Sequence, residues 1–297
     1  ALEACKTEVS SSIRFRKLSP SESGINFVNR VVEDSIYNAL DFTNIYTGSG
    51  VGIGDLDNDG LPEVFLGGCV ESSRLYHNKG KLKFDDITQS AGLNTDRWIT
   101  GVNMVDINAD GYLDIYLCVS GPIPSKRENL LFINQKNLTF KEEGAAFGLN
   151  DSSQCTQASF FDYDKDGDLD VFMVVNPTDY NIFNVNSIRK KKVKGEAEST
   201  DKLYRNEGNG SFVNVSAEAG IKIEGYSLGM HVGDFNGDHW PDMYVTNDFL
   251  SNDLLYINQK DGSFVNQSSH SFKHSSYASM GLDVADLNND GLREIFI

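Results

Sequence analysis

Apolar residues along this chain fall into short runs that recur at a regular spacing. Five such runs, Val64–Leu66, Ile115–Leu117, Val171–Val175, Met243–Val245 and Ile295–Ile297, each follow an Asp-rich segment. Their β-branched and aromatic residues, bounded by turn formers, predict β-strands. Each Asp-rich segment is itself preceded by small and apolar residues, as in Gly50–Gly54 or Ala278–Ala285. A third strand-length element appears four times, as Leu75–Asn78, Leu131–Asn134, Leu203–Asn206 and Leu255–Asn258. A fourth begins at Phe84, Phe140, Phe212 and Phe264, and its first three copies end in Gly92–Leu93, Gly148–Leu149 and Gly220–Ile221. Four strands in each unit of about 50 residues predict an all-β fold, a propeller of four-stranded blades. A Gly-rich first strand suits the innermost position, where neighbouring blades converge. A β-sandwich is the competing architecture, but it does not require a regular loop at the same point of every unit.

The Asp-rich segments carry the candidate chemistry. They begin at Asp55, Asp106, Asp162, Asp234 and Asp286, so successive starts lie 51, 56, 72 and 52 residues apart. Positions 1, 3, 5 and 9 hold oxygen-bearing side chains: Asp55, Asp57, Asp59 and Glu63; Asp106, Asn108, Asp110 and Asp114; Asp162, Asp164, Asp166 and Asp170; Asp234, Asn236, Asp238 and Asp242; Asp286, Asn288, Asp290 and Glu294. Position 7, held by Leu61, Tyr112, Asp168, Trp240 and Leu292, would add a backbone carbonyl. Such an oxygen-only cage selects a hard cation, and Ca²⁺ tolerates an irregular shell better than Mg²⁺. Up to five Ca²⁺ sites are expected. An EF-hand needs Glu at position 12, where this chain has Leu66, Leu117, Met173, Val245 and Ile297, all apolar. In the fourth loop His239 replaces the Gly at position 6, so weaker binding is expected there.

Charge sharpens this picture. The 297 residues include 26 Lys+Arg and 43 Asp+Glu, for a net charge of −17. Seventeen of the acids stand at positions 1, 3, 5 and 9 of the loops, leaving 26 acids against 26 bases. The acidity therefore belongs to the loops rather than to the whole surface, and five bound Ca²⁺ would bring the charge to −7. Neither nucleic acid nor an anionic membrane is expected as a partner. Val171–Val175 is the longest unbroken aliphatic, Met and Phe run, too short to span a bilayer. Cys5, Cys69, Cys118 and Cys155 contain no CxxC pair, and their spacing leaves any disulfide pairing open. Leu2–Cys5 resembles the tail of a bacterial lipoprotein signal, with Cys5 as the lipidated residue. An ordinary terminal cysteine is the plainer reading. An insertion over 177–200 carries five basic residues within Arg189–Lys194, which reads as a solvated loop before it reads as a phosphate or polyanionic-glycan patch.

The repeated units resemble the FG-GAP/VCBS-type repeats of integrin-α-like propellers. Ser23–Asn29, Gly48–Asp55 and Asn247–Phe249 further resemble the bacterial relatives of cartilage acidic protein, the ASPIC/UnbV group. That resemblance runs from about residue 15 to the C-terminus. It implies a seven-bladed propeller, secreted or surface-attached, with calcium in the inner hairpins. The group's C-terminal ASPIC/UnbV segment is not seen.

The expected organisation is a tail over 1–14, an outer closing strand and lead-in over 15–46, and blades at 47–93, 94–149, 150–221, 222–275 and 276–297. The last of these is incomplete. Phe15–Leu18 matches the fourth-strand signature, so an open arc of about four and a half blades of a longer product is expected, with an unpaired edge there.

The expected function is a non-enzymatic, calcium-binding scaffold for a protein or glycan ligand at the cell surface or outside the cell. The alternative is a glycan-binding partner of a bacterial outer-membrane uptake system, using Trp98 and Trp240. An enzyme is disfavoured: His77, His231, His239, His270 and His274 form no HExxH, and no GxSxG or P-loop occurs. His231, near the expected axis, is the one candidate for such a site.

Overall fold

A computed structural model describes residues 15–176, 190–248, 251–276 and 278–297. Cys5 with its anchor motif, the tail over 1–14, insertion residues 177–189 and Phe249 lie outside the described residues.

The described strands form an incomplete propeller of antiparallel sheets, in agreement with the repeat pattern. The first sheet holds β1 (Val51–Gly54), β2 (Glu63–Leu66), β3 (Arg74–Asn78) and β4 (Phe84–Asp86). The second holds β5 (Trp98–Val105), β6 (Asp114–Ser120), β7 (Leu130–Asn134) and β8 (Phe140–Glu142). The third holds β9 (Cys155–Phe161), β10 (Asp170–Val175), β11 (Lys202–Asn206) and β12 (Phe212–Asn214). The fourth holds β13 (Ser227–Gly233), β14 (Asp242–Asn247), β15 (Leu254–Asn258) and β16 (Phe264–Asn266). A hairpin of β17 (Asp283–Ala285) and β18 (Glu294–Phe296) follows. Each sheet is a simple meander, and the first strands are neighbours: β5 packs on β1 and β9, and β9 packs on β13. A Cβ at Gly52 would lie 2.7 Å from Val102 Cγ1 of the next blade. The small residues of the first strand are thus what lets the blades meet.

The core lies between the blades. Leu56, Phe65 and Leu75 of the first pack with Ile115, Leu117 and Phe132 of the second. Ile107, Tyr116 and Leu131 pack with Val171, Tyr204 and Phe212, and Phe172, Val174 and Leu203 pack with Val245, Tyr256 and Phe264. Alternate residues of one strand enter the clusters on opposite faces of its sheet, which explains the unbroken apolar runs in β6, β10 and β14. Cys118 and Cys155 are buried free thiols within the second of these interfaces, and Cys69 is a buried free thiol packed with Phe42, Ile45 and Trp98.

Two local features depart from the sequence reading. Phe15–Leu18 takes no strand conformation, and Phe15 is 92% exposed. A strand needs a ladder partner, and among the described residues none runs beside it. The fourth-strand signature survives instead in its C-terminal half. A helical turn, α1 (Pro20–Ser23), is closed by a Ser19–Glu22 capping box and ends at Gly24 with φ 84°. Turns α2 (Thr88–Ala91) and α3 (Gly144–Phe147) end in the same way at Gly92 and Gly148.

These glycines dock each unit on the next. A Cβ at Gly24, Gly92, Gly148 or Gly220 would sit 2.1, 3.2, 2.8 or 2.6 Å from the carbonyl oxygen of Phe84, Phe140, Phe212 or Phe264. Residues 15–25 thus bear on the first blade as each later unit bears on its successor. Gly148→Ala combines a left-handed backbone at φ 74° with this close approach. It should destabilise the fold by about 1–3 kcal/mol in urea unfolding, whereas Ala at the solvent-facing Gly262 should lose only the backbone part, about 1 kcal/mol.

Candidate metal centres

The Asp-rich segments are the turns between the first and second strands, and all five close in one way. The position 1 carboxylate accepts two main-chain N–H groups, from positions 5 and 6. In the first loop these are Asp59 N–H to Asp55 Oδ1 at 3.1 Å and Gly60 N–H to Asp55 Oδ2 at 2.8 Å. Asp106, Asp162, Asp234 and Asp286 repeat the pair. The position 5 carboxylate then caps the N–H at position 7, as Asp110 does for Tyr112 at 3.0 Å. Short Asp side chains bonding their own backbone are what permits so tight a reversal. Positions 4 and 6 are both left-handed in every loop, and at position 4 Asn58, Ala109, Lys165 and Asn289 have φ between 55° and 61°.

The acid at position 9 does more than close the turn. Glu63, Asp114, Asp170 and Asp242 are fully buried. One oxygen of each accepts the position 2 N–H, from Leu56, Ile107, Tyr163 or Phe235 at 2.9–3.1 Å. The other accepts the N–H of the Asn that ends the third strand, Asn78, Asn134, Asn206 or Asn258, at 2.8–3.3 Å. The acid therefore ties loop, second strand and third strand together. It also seats the position 2 side chain, and Leu56, Ile107 and Tyr163 enter the apolar interface with the following blade.

The carboxylates converge. Oxygens of Asp55, Asp57 and Asp59 lie within 4.8 Å of one another, as do those of Asp162, Asp164 and Asp170. Asp57 Oδ1 and Asp164 Oδ1, both at position 3, are buried without any hydrogen-bond partner. Unpaired buried carboxylate oxygens aimed among other acids fit a hard cation, which would supply both the missing partner and the missing charge. Left to protein partners alone, Asp114, Asp164, Asp170 and Asp242 resist ionisation. Burial pushes Asp170 up to about 7 and Asp114 up to about 6, against the downward pull of the N–H groups they accept. Asp164 is raised by burial and by Asp166, and Asp242 by burial.

The loops are not equal. In the fourth, the left-handed position 4 is Gly237 and His239 occupies position 6 at φ 68°. The corresponding glycines have open space where a Cβ would be, and His239 N–H still reaches Asp234 Oδ2 at 2.9 Å. The loop closes normally, with strain confined to one backbone angle. In the fifth, Glu294 bonds Leu287 N–H at 2.9 Å, yet the loop is exposed and Glu294 is only half-buried. The position 7 side chains take no part in the cages: Trp240 lies under Lys165 Nζ at 4.8 Å, and Tyr112 under Lys136 Nζ at 5.3 Å.

Other singled-out residues have packing roles. Trp98 is 4% exposed, stacked on Tyr37 and edge-on to Phe42, so it offers no free platform. His231 packs edge-on to Phe235 and faces one acid, Asp283, and one base, Arg293. In the described part of the basic run Lys190, Val193 and Lys194 are exposed, and only Lys191 and Lys192 are half-buried. The Lys192 N–H donates to the Glu224 carboxylate and its carbonyl accepts the Glu224 N–H at 3.1 Å, while Lys191 is partly buried toward Glu224 and Asp201.

A second tier of polar residues escaped the sequence reading. Ser73, Asn129, Asp201 and Asp253 are buried at the opposite end of the strands, each two residues before the Leu that opens the third-strand element. Each accepts the N–H that follows or ends the second strand. Ser227 and Ser279 of the next blades donate to Asp201 and Asp253. The signal was a small polar residue at a constant offset, but nothing local marked it as buried.

Two outcomes follow. An acid raised in the folded state stabilises it only while protonated. That contribution is complete below the unfolded value of 3.8 and is lost as pH climbs through about 7. In chelator, wild type should lose stability from about pH 4 to pH 7 relative to an Asp114→Asn, Asp170→Asn variant. Urea unfolding at both ends of that range reads the difference, and parallel pH dependence would refute it. His239→Gly should stabilise the protein by about 1 kcal/mol, read by the same method.

Comparison with known proteins gives this geometry a family. No curated protein sequence matches the chain. A solved lectin of Agrocybe aegerita, described as recognising non-reducing terminal N-acetylglucosamine, is 17% identical, with a TM-score of 0.43 over 82% of this chain and 59% of that one. The V. cholerae biofilm matrix protein Bap1 is 17% identical, with a TM-score of 0.39 over 74% of this chain and 28% of that one. The chain thus spans less than two thirds of either protein. The FG-GAP-like repeat profile matches residues 55–117, 194–245 and 234–297, more than half of the chain and including four of its five Asp-rich loops. The chain belongs to the FG-GAP-like repeat family.

Proposed function

We propose that this protein is a calcium-binding, non-enzymatic scaffold that presents a propeller surface to a protein or glycan ligand, at the cell surface or outside the cell. The observation that carries the calcium reading is the pair of partnerless buried oxygens, Asp57 Oδ1 and Asp164 Oδ1, each among converging acids. Ca²⁺ suits this cage because it accepts carboxylate, amide and carbonyl oxygens in a flexible shell, whereas Mg²⁺ demands a near-ideal octahedron. The candidate ligands are those at positions 1, 3, 5 and 9, with the position 7 carbonyl. Bound calcium would hold each loop in the shape that seats its position 2 side chain in the next blade, which is a structural role.

The scaffold reading rests on where the polar groups point. The repeated carboxylates are committed to loop closure, and His231 is flanked by an aromatic ring and a guanidinium. Among the described residues no helix is long and apolar enough to cross a membrane. The extracellular setting rests on the resemblance of Ser23–Asn29 and Gly48–Asp55 to the ASPIC/UnbV group. The narrower idea of a glycan-uptake partner draws no support from the two Trp residues, since Trp98 is buried and Trp240 is covered by Lys165. The ligand is therefore proposed only as a protein or a glycan.

Thermal unfolding of the full chain in chelator and in millimolar Ca²⁺ tests the reading. Each site filled well above its dissociation constant should add about 1–3 kcal/mol. Asp57→Ala with Asp164→Ala should remove the share of two sites. An unchanged melting temperature on adding calcium would refute the proposal.

A further inference from the structure

The first loop differs from its counterparts in one side chain. The third residue of the third-strand element is His77, where the next three blades carry Ile133, Arg205 and Ile257. His77 immediately precedes Asn78, whose N–H holds Glu63, so its ring lies against the same carboxylate. Nδ1 is 2.9 Å from Glu63 Oε1, and the side chain is only 14% exposed. Asp57, Glu63 and His77 each present a donor atom, all within 4.8 Å of one another. They come from three separate elements: the loop, the start of β2 and the end of β3. The buried Asp57 Oδ1 in this group has no hydrogen-bond partner.

Two carboxylates and an imidazole nitrogen are not a calcium set. Ca²⁺ is hard and prefers oxygen, whereas imidazole suits first-row transition ions such as Zn²⁺, Ni²⁺ or Co²⁺. We propose that the first loop takes a transition-metal dication of the zinc class through Asp57, Glu63 and His77. The proposal rests on the reading of this loop as a cation cage but not on the other four loops. Because Asp57 and Glu63 serve both ions, calcium and the transition metal exclude each other there.

Ligation through Nδ1 requires the Nε2–H tautomer of neutral imidazole. The Lys79 ammonium, 3.3 Å from Nε2, must then turn away, which its exposed side chain allows. The third loop supplies the contrast. Asp162, Asp164 and Asp170 converge in the same way, but the equivalent strand position is Arg205, which has no lone pair to give.

The test titrates Co²⁺ as the probe into the metal-stripped full chain without calcium, and repeats the titration in millimolar Ca²⁺, which should compete at the first loop. One equivalent of Co²⁺ with visible ligand-field absorption is expected. His77→Gln should weaken Co²⁺ binding by on the order of tenfold or more while calcium still raises the melting temperature. Arg205→His should add a second equivalent, which keeps the proposal testable if the Gln variant folds poorly. Equal Co²⁺ affinity and spectrum in wild type and His77→Gln would overturn the proposal, as would no Co²⁺ binding by a chain that calcium still stabilises. If calcium gives no stabilisation but Co²⁺ binding depends on His77, the calcium reading fails and this one stands.

Discussion

A buried carboxylate in every complete blade organises what surrounds it. Glu63, Asp114, Asp170 and Asp242 are fully enclosed, and an ionised group cannot remain there without partners for its oxygens and a source of compensating charge. The chain meets the first need with two main-chain N–H groups, one at loop position 2 and one at the Asn ending the third strand. Both donors come from backbone that must be held rigidly, so the hairpin, the third strand and the loop share one geometry. The position 2 side chain then has a single direction in which to point, into the neighbouring blade.

The opposite end of each blade is held by the same kind of bond. Asp201 accepts from Val175 N–H and from Ser227 of the next blade, and Asp253 accepts from Asn247 N–H, Tyr244 Oη and Ser279. Burial pushes Asp201 up to about 7, against these donors and nearby Lys191. The third blade is therefore held to the fourth by polar groups at both strand ends, with an apolar layer between. Such an arrangement specifies register better than an all-apolar interface, because a slip of one residue would strand the acids.

The repeats made most of this legible. Strand order, the location of the turns and the four oxygen positions of each loop follow from period and residue type, since both are local. What escaped depended on contacts far apart in the chain. Ser73, Asn129, Asp201 and Asp253 look like ordinary polar residues ahead of a strand, and only folding reveals that they are enclosed. Packing is the favoured reading of Trp98 from sequence, but what covers it is not legible there, because Tyr37 and Phe42 lie more than fifty positions earlier. His77 sits at a repeat position otherwise filled by Ile or Arg, and its chemistry emerges only beside Glu63.

One further detail concerns how the loops speak to each other. The Asn134 amide donates at 2.8 Å to the Leu56 carbonyl in the first loop, and Asn58 donates at 2.9 Å to the Gly111 carbonyl in the second. The Asn258 amide does the same for Tyr163 in the third loop, while Lys165 reaches across to Trp240 in the fourth. The equivalent Asn206 amide bonds Leu169 of its own blade. The loops are thus wired as two couples, first with second and third with fourth. Ordering one member would bias the backbone of its mate, a coupling that the first–second and third–fourth pairs carry through these bonds and that the second–third pair, among the described residues, lacks at Asn206.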